Sequence, residues 1–520
     1  MFRNSAKKKQ EIVDARVSDI NEQLAGLKLS RSLDDNVALL KELFTDVDTL
    51  RTRRFACSRN ASLKYCIVYS EGVVDISVIN DNIIKPLMLS DAAEPGRRLI
   101  ETLASGVLQV NDAKPTGSLM DIVEGICYGD TALLAEGAAQ VLMLNTKKFK
   151  QRNIAEPENE KSLTGPREGF TEELETNLSL LRRKVKTHEL KMKLKTMGRR
   201  TRTSVCVCYL DGIVNKKVLA ELYRRLDKVD IDAVLDTNYL TEIIRDSRLS
   251  LFRTIGYTER PDVVIGKLLE GRIAILVDGS PSVLTLPYLF IENFQNSEDY
   301  YLSFFYTSFS RLLRMIGLLF TTTVPAFYIA IVAFHREMMP TQLLINIAAE
   351  RQNAPLPAVA EAFVMIIIFD ILRETGVRMP SNIGQALSIV GALVIGQSAV
   401  EARLVAAPMI IVVAFTGITA LLVPKLNAPI IYLRLGLLFI AAMFGFYGLV
   451  AGLSLIAVHI ISLRSFGVPQ ISLTGNLQYQ EVKDTFFRAP WWQMRIRSRI
   501  PSWNKTRLKN NTNSQGAKND

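Results

Sequence analysis

The chain has 520 residues, 48% hydrophobic and 22% charged, with 63 Lys and Arg against 52 Asp and Glu for a net charge of +11. That length allows two or three domains, and so apolar a composition is compatible with one of them lying in lipid. The excess positive charge admits a membrane surface or an acidic partner, but no aromatic platform or known module accompanies it, which argues against nucleic acid.

Residues 1–49 read as a polar, partly helical extension. The opening MFRNSAKKKQEIVDARVSDI has basic residues with no apolar core behind them, so it is not a secretory signal. The N-terminus is therefore expected in the cytoplasm. All five cysteines (Cys57, Cys66, Cys127, Cys206, Cys208) precede the apolar part of the chain and lack CxxC or Cys/His spacing. Neither a metal site nor a cofactor is expected, and Cys206 and Cys208 are expected to share one strand face as small apolar residues.

The region from 50 to 295 contains a repeat. Cys66-Ile-Val-Tyr69-Ser-Glu71-Gly72-Val-Val-Asp75 matches Cys206-Val-Cys-Tyr209-Leu-Asp211-Gly212-Ile-Val-Asn215, an offset of 206 − 66 = 140. Gly129-Asp-Thr-Ala132-Leu-Leu-Ala-Glu136-Gly137 matches Gly271-Arg-Ile-Ala274-Ile-Leu-Val-Asp278-Gly279, an offset of 271 − 129 = 142. Each copy reads as a strand, an acidic-Gly turn, a helix and a strand hairpin. Gly72, Gly137, Gly212 and Gly279 are candidate structural turns, because glycine takes positive φ without steric cost. No Gly-rich loop opens a helix and no GK[ST] follows, so phosphate binding is disfavoured. These features predict two related α/β subdomains, 50–150 and 201–295.

Between them, 151–200 is polar and then strongly basic from Arg182 to Arg200, with a helical Leu pattern. It is read as a solvated linker helix, or as a contact with anionic lipid or an acidic subunit. No Ser/His/Asp or Cys/His set stands out, and with three histidines (His188, His335, His459) no enzymatic activity is expected.

From 296 to 311 an aromatic-rich stretch (Tyr300, Tyr301, Phe304, Phe305, Tyr306, Phe309) is expected to lie along a membrane surface. Residues 312–463 then form apolar runs. Leu312–Phe334, Ile383–Val400 and Leu404–Val423 read as spans. Val359–Leu372 is short and holds Glu361 and Asp370, leaving a span, a re-entrant helix or an amphipathic helix open. Ile430–Leu463 is one tilted helix or two joined near Phe444-Gly445-Phe446-Tyr447-Gly448. The tail, 464–520, is basic and is expected inside the cell, so the crossings are even in number, four or six. The fold class expected is thus an α/β soluble region of two related subdomains followed by an all-α polytopic transmembrane helix bundle.

An ionised side chain at bilayer depth costs about 2.5 to 3.5 kcal/mol on insertion scales and needs a partner or water. The candidate ion-path or intramembrane polar residues are Glu361, Asp370, Gln385, Ser388, Gln397 and Glu401. Gln385 and Ser388 head a small-residue face suited to close packing or to pore lining. Gln397 and Glu401 stand four apart, as an interhelical hydrogen-bond pair or as part of a cation path.

Several motifs carry a resemblance. Glu259-Arg260-Pro261-Asp262-Val263-Val264, with Leu268 to Tyr301 following, resembles the signature of the A subunit of GerA-type spore germination receptors. Gly165-Pro166-Arg167-Glu168-Gly169-Phe170 resembles that family's linker motif, Gly391 to Glu401 its membrane motif, and Asp484-Thr-Phe-Phe-Arg488-Ala-Pro490-Trp491-Trp492 its tail. The chain departs from the family pattern at Ile366, Asp370 and Arg403. The resemblance implies a nutrient-sensing subunit in the inner membrane of bacterial spores, multi-pass, with both termini on the core side. It also implies a homo-oligomer that works with a transporter-like B subunit and a lipoprotein C subunit, contacts membrane lipid and passes monovalent cations when germinant binds.

Overall fold

The computed structural model describes residues 27–494 apart from 59, 61–62, 91–96, 111, 149–155, 158–159, 161, 163, 353, 379–390, 392–393 and 472–483. Its first half is built from two five-stranded antiparallel sheets. In chain order the first contains β1 (Leu50–Ala56), β2 (Lys64–Ser70), β3 (Ala113–Thr116), β4 (Asp130–Ala135) and β5 (Val141–Asn145). The second contains β6 (Leu190–Met197), β7 (Thr203–Leu210), β8 (Gly256–Thr258), β9 (Ile273–Val277) and β10 (Val283–Leu286). Their strand orders, β1-β2-β4-β5-β3 and β6-β7-β9-β10-β8, are the same order shifted by five strands.

Each sheet is buried on both faces, which is why its central strands are apolar without alternation. In the first repeat, α1 (Leu33–Leu43) and α2 (Leu119–Tyr128) cover the face that carries Cys66 and Val68. The face of Tyr65 and Ile67 is covered by the helical turns between Ile76 and Val107. In the second repeat, α3 (Leu174–Lys184) and α6 (Pro261–Leu269) cover Cys206 and Cys208, while α4 (Lys216–Leu226) and α5 (Thr237–Ile244) cover Val205 and Val207. All five cysteines are free and buried, with Cys206 Sγ 3.8 Å from Cys208 Sγ.

Both repeats begin one helix earlier than the expected boundaries of 50 and 201. Asn36 in α1 binds the Ser30 backbone through both ends of its amide (2.8 Å each), and Asn177 in α3 does the same to Thr171 (2.8 and 2.5 Å). The basic run expected as a linker helix is in fact the C-terminal turn of α3 followed by edge strand β6. There Leu190 and Met192 enter the core, while Lys193 faces out and lies over the Tyr223 ring. The two repeats join at this edge, where Val47 bridges Met192 and Asp48 N–H donates to the Met192 carbonyl (3.0 Å).

Among the acidic-Gly turns, Gly72, Gly137 and Gly279 adopt φ of +85°, +82° and +86°. Gly212 sits in its turn without positive φ. There the missing side chain leaves room for Glu189, whose Oε1 would lie 2.7 Å from a Cβ.

From Phe304 to Ser462 the described residues are mostly helical. α7 (Phe304–Ile329) continues through a π-helical turn, Ala330–Phe334. It is followed by α8 (Thr341–Arg351), α9 (Ala358–Arg378), α10 (Ala407–Ala420) and α11 (Asn427–Ser462). The aromatic stretch is not a separate surface segment, since Phe304 to Arg311 already form the first turns of α7. The span expected over Leu404–Val423 is a shorter helix, because a turn with Arg403 at φ +56° precedes it.

α11 is folded on itself at Gly445 (φ +59°, ψ −138°). A Cβ on Gly452 would lie 2.7 Å from Leu437 Cδ2, whereas residues 15 apart in a straight helix are separated by about 22 Å. Ile430 and Leu463, near its two ends, share a cluster with Phe252 and Phe294 beside the second repeat. The hinge therefore lies at the end remote from the sheets, where Gly445 meets Phe334. Among the described residues, two helical stretches, Phe304–Phe334 and Pro424–Ser462, are long and apolar enough to cross a membrane. Their outer surface is apolar, with Leu319, Leu455 and Val458 exposed, as are Ile411 and Ile418 on α10.

Candidate functional site

Two groups of polar side chains stand out in the helical region. The first lies where α7 leaves the sheets. Asp299, almost fully buried, receives Arg311 Nη2 (3.3 Å) and Arg314 Nη2 (2.8 Å). Arg311 also reaches Asp484 in the returning tail (3.1 Å), and Tyr300 Oη donates to the same carboxylate (2.8 Å). Burial pushes the Asp484 carboxyl up, against the opposing pull of Arg311. A buried arginine is stable only when paired and hydrogen-bonded, and these partners let an apolar helix begin with two inward cations. The strap is completed by Arg488, which donates to the Leu302 carbonyl (2.9 Å).

The second group lies among the helices. Asp370 on α9 and Arg434 on α11 form an ion pair of 2.5 Å, with the Arg434 side chain 1% exposed. Glu361, one of the sequence candidates, lies in the first turn of α9 and is fully buried. Among the described residues neither of its carboxylate oxygens meets a donor within hydrogen-bond geometry; the Ala406 backbone N–H and Arg351 are the polar groups that act on it. Gln397 and Glu401 do pair, at 2.8 Å, but within one helix rather than between two, and both are exposed on the single chain. Gln385 and Ser388 lie outside the described residues. The candidates are thus dispersed: Asp370 meets a cation, Glu361 is enclosed and Glu401 faces outwards.

The sequence reading missed Arg434, Asp299 and Arg311 as partners. Arg434 carried a signal, being the lone Lys or Arg between Ile430 and Leu463. A lone cation in an apolar run calls for a carboxylate in another, and Asp370 is one of the two in Val359–Leu372. The Asp299 and Asp484 partnership with Arg311 had no such signal, because 173 positions separate Arg311 from Asp484.

The geometry defines a class: a duplicated α/β platform that carries a domain of apolar helices, with the platform fastened to the first helix by buried ion pairs. The family model described as "Bacillus/Clostridium GerA spore germination protein" matches residues 38–500. Spore germination protein KA of Bacillus subtilis is 40% identical over 466 residues, covering 89% of this chain and 86% of that protein. Spore germination protein B1 of the same organism is 34% identical, covering 89% of this chain and 96% of that protein. The crystal structure of the N-terminal domain of the A subunit of the Bacillus megaterium spore germinant receptor GerK3 is 34% identical, with a TM-score of 0.41, and covers 51% of this chain and 98% of that one. The chain belongs to the GerA family of spore germination proteins.

Proposed function

We propose that the protein is a non-enzymatic subunit of a nutrient germinant receptor in the inner membrane of the spore, and that several copies form a cation channel gated by germinant. It would work with a transporter-like B subunit and a lipoprotein C subunit, with both its own termini on the core side. In this reading the helices traverse the bilayer six times. α7 leads away from the sheets and α9 returns, with Glu361 at its remote end and Asp370 nearer the platform. The segment before Arg403 goes out, α10 comes back, and the two arms of α11 add the last pair.

The observation that carries the channel reading is the Gln397–Glu401 pair. A hydrogen-bonded amide and carboxylate on the outer face of an apolar domain require water or a second copy beside them. Glu401 immediately precedes the turn at the remote end, where a ring of carboxylates from several copies would select cations. Glu361 is enclosed in this packing, so a route through this state does not reach it.

Potassium flux from liposomes carrying the complete receptor tests this. Glu401→Gln is expected to lower cation selectivity while leaving assembly intact. Unchanged selectivity, with or without loss of flux, would count against the channel. The second reading is a non-conducting scaffold that couples a germinant-binding partner to later proteins, and the buried Asp299–Arg311–Asp484 junction favours it. Under that reading Glu401→Gln leaves ion flux unchanged and Asp299→Asn disrupts assembly.

A further inference from the structure

A cavity of about 680 Å³ opens between α6, the turn that leads into α11, and the returning tail, within the size range of small-molecule sites. Its walls are largely aromatic and aliphatic, with Tyr257, Tyr288, Leu289, Ile291 and Trp491 among them. Charged groups are set into these walls, and the carboxylates among them are mostly spoken for. Asp262 receives Arg260 (2.8 Å) and the Tyr301 hydroxyl (2.8 Å), and Glu292 receives Arg272 and Lys267 (3.1 Å for the latter). Asp484 is held by Arg311 and Tyr300, as described above. Glu160 accepts from Thr258 Oγ1 (2.5 Å) and Glu259 N–H (3.0 Å), while Glu270 stands at the C-terminal end of α6.

The cations are less well matched. Lys425 Nζ donates to the Gln295 carbonyl (2.9 Å), and the Arg253 guanidinium lies 4.2 Å from the centre of the Tyr257 ring. Among the described residues neither makes an ion pair. Lys267 and Arg272 share the single carboxylate of Glu292. Burial pushes the Lys267 pKa down, with Glu292 opposing it. Burial likewise pushes the Lys425 pKa down, with Glu160 and Glu292 opposing it without pairing to it. A cation that has no ion pair of its own in a low-dielectric enclosure favours an incoming anion.

We propose that this cavity binds a small organic anion taken from water, its negative group held by Lys425 and Arg253 and an aromatic or branched aliphatic body lying against Tyr257, Tyr288 and Leu289. Lys425 stands on the turn between α10 and α11, Tyr288 belongs to the second repeat, and Trp491 to the tail. Occupancy of the cavity would therefore tie the platform, the membrane hairpin and the strap together. The proposal is independent of whether the helices conduct.

The test uses the full chain in phosphatidylcholine nanodiscs and 4-(trifluoromethyl)benzoate, followed by fluorine NMR, beside the neutral benzamide and the protonated benzylamine that share its ring. Saturable binding of the benzoate is expected, weaker by about 10-fold or more for the other two, since they lack a charge-assisted bond to Lys425. Lys425→Met is expected to weaken benzoate binding about 10-fold and Lys425→Arg to restore it. Should Lys425→Met fail to fold, Arg253→Met gives the same reading. Equal binding of benzoate and benzamide would overturn the proposal, as would benzoate affinity unchanged in the folded variants. Loss of benzoate binding when the nanodiscs contain phosphatidylglycerol would assign the cavity to a lipid headgroup, and would overturn it also.

Discussion

Asp370 and Arg434 lie 64 positions apart in sequence and 2.5 Å apart in space, joining α9 to the first arm of α11. Arg434 is enclosed and Asp370 is partly buried, so each is the reason the other is tolerated among apolar side chains. Removing one partner strands a charge. Asp370→Asn or Arg434→Met alone is expected to destabilise the helical domain by about 3–5 kcal/mol. The double substitution removes both charges and is expected to recover most of that loss. A double-mutant cycle on thermal unfolding in detergent checks this, and purely additive single losses would rule the pairing out.

The hinge at Gly445 predicts a separate defect. Its φ of +59° with ψ of −138° is open to glycine and closed to residues with a Cβ, which would also come 2.9 Å from Phe334 Cβ. Gly445→Ala is expected to cost about 1–3 kcal/mol in backbone strain and more through the collision. Limited proteolysis of the purified protein should then cut near 444–446, where the wild type resists.

Helix capping gives a paired prediction. Glu136 accepts the N–H of Leu33 at 3.2 Å, and Asp278 accepts that of Leu174 at 3.1 Å, so a carboxylate at the equivalent turn caps the first helix of each repeat. Asp278→Ala is expected to cost about 0.5–2 kcal/mol. The local signature is faster amide exchange over residues 174–178 with little change over 33–37, and Glu136→Ala should give the reverse.

His188, between α3 and β6, sets a pH dependence. Burial lowers its pKa below the ordinary 6.5, with Lys191 and Arg182 adding to the effect. The folded protein therefore holds the ring neutral where the unfolded chain binds a proton. This contribution is complete above pH 6.5 and is lost as pH falls from there through the depressed folded value. The thermal midpoint should decline over that window in the wild type and decline less in His188→Gln.

The repeat was legible because turns are local. Glu136-Gly137 and Asp278-Gly279 mark the same β4–β5 and β9–β10 hairpins. The opening helices of the repeats were missed although a signal exists: Leu33, Asn36 and Leu40 match Leu174, Asn177 and Leu181 at an offset of 174 − 33 = 141. β6 was mistaken for helix because its lysines suggested a solvated face, yet the alternation LKMKLK has the period of a strand. The bend at Gly445 was one of two sequence readings of α11, and the fold decides between them through Leu437 and Gly452. Contacts of the tail with Tyr300 and Arg311 depend on chain reversal over the whole helical domain, which no window of sequence contains.

The helical domain is secured to the second repeat at both of its ends. At the start, Arg314 Nη1 donates to the Phe294 carbonyl at 2.6 Å, with Asp299 holding Arg311 and Arg314 in place; at the finish, Phe466 enters the core of the second sheet and Ser465 Oγ accepts the Tyr288 N–H at 2.9 Å. A body bolted at one point can swivel, but one bolted at two has lost that freedom. Freedom to rearrange is left to the helices carried between the two mountings, α8, α9 and α10 among them, and to the Gly445 elbow.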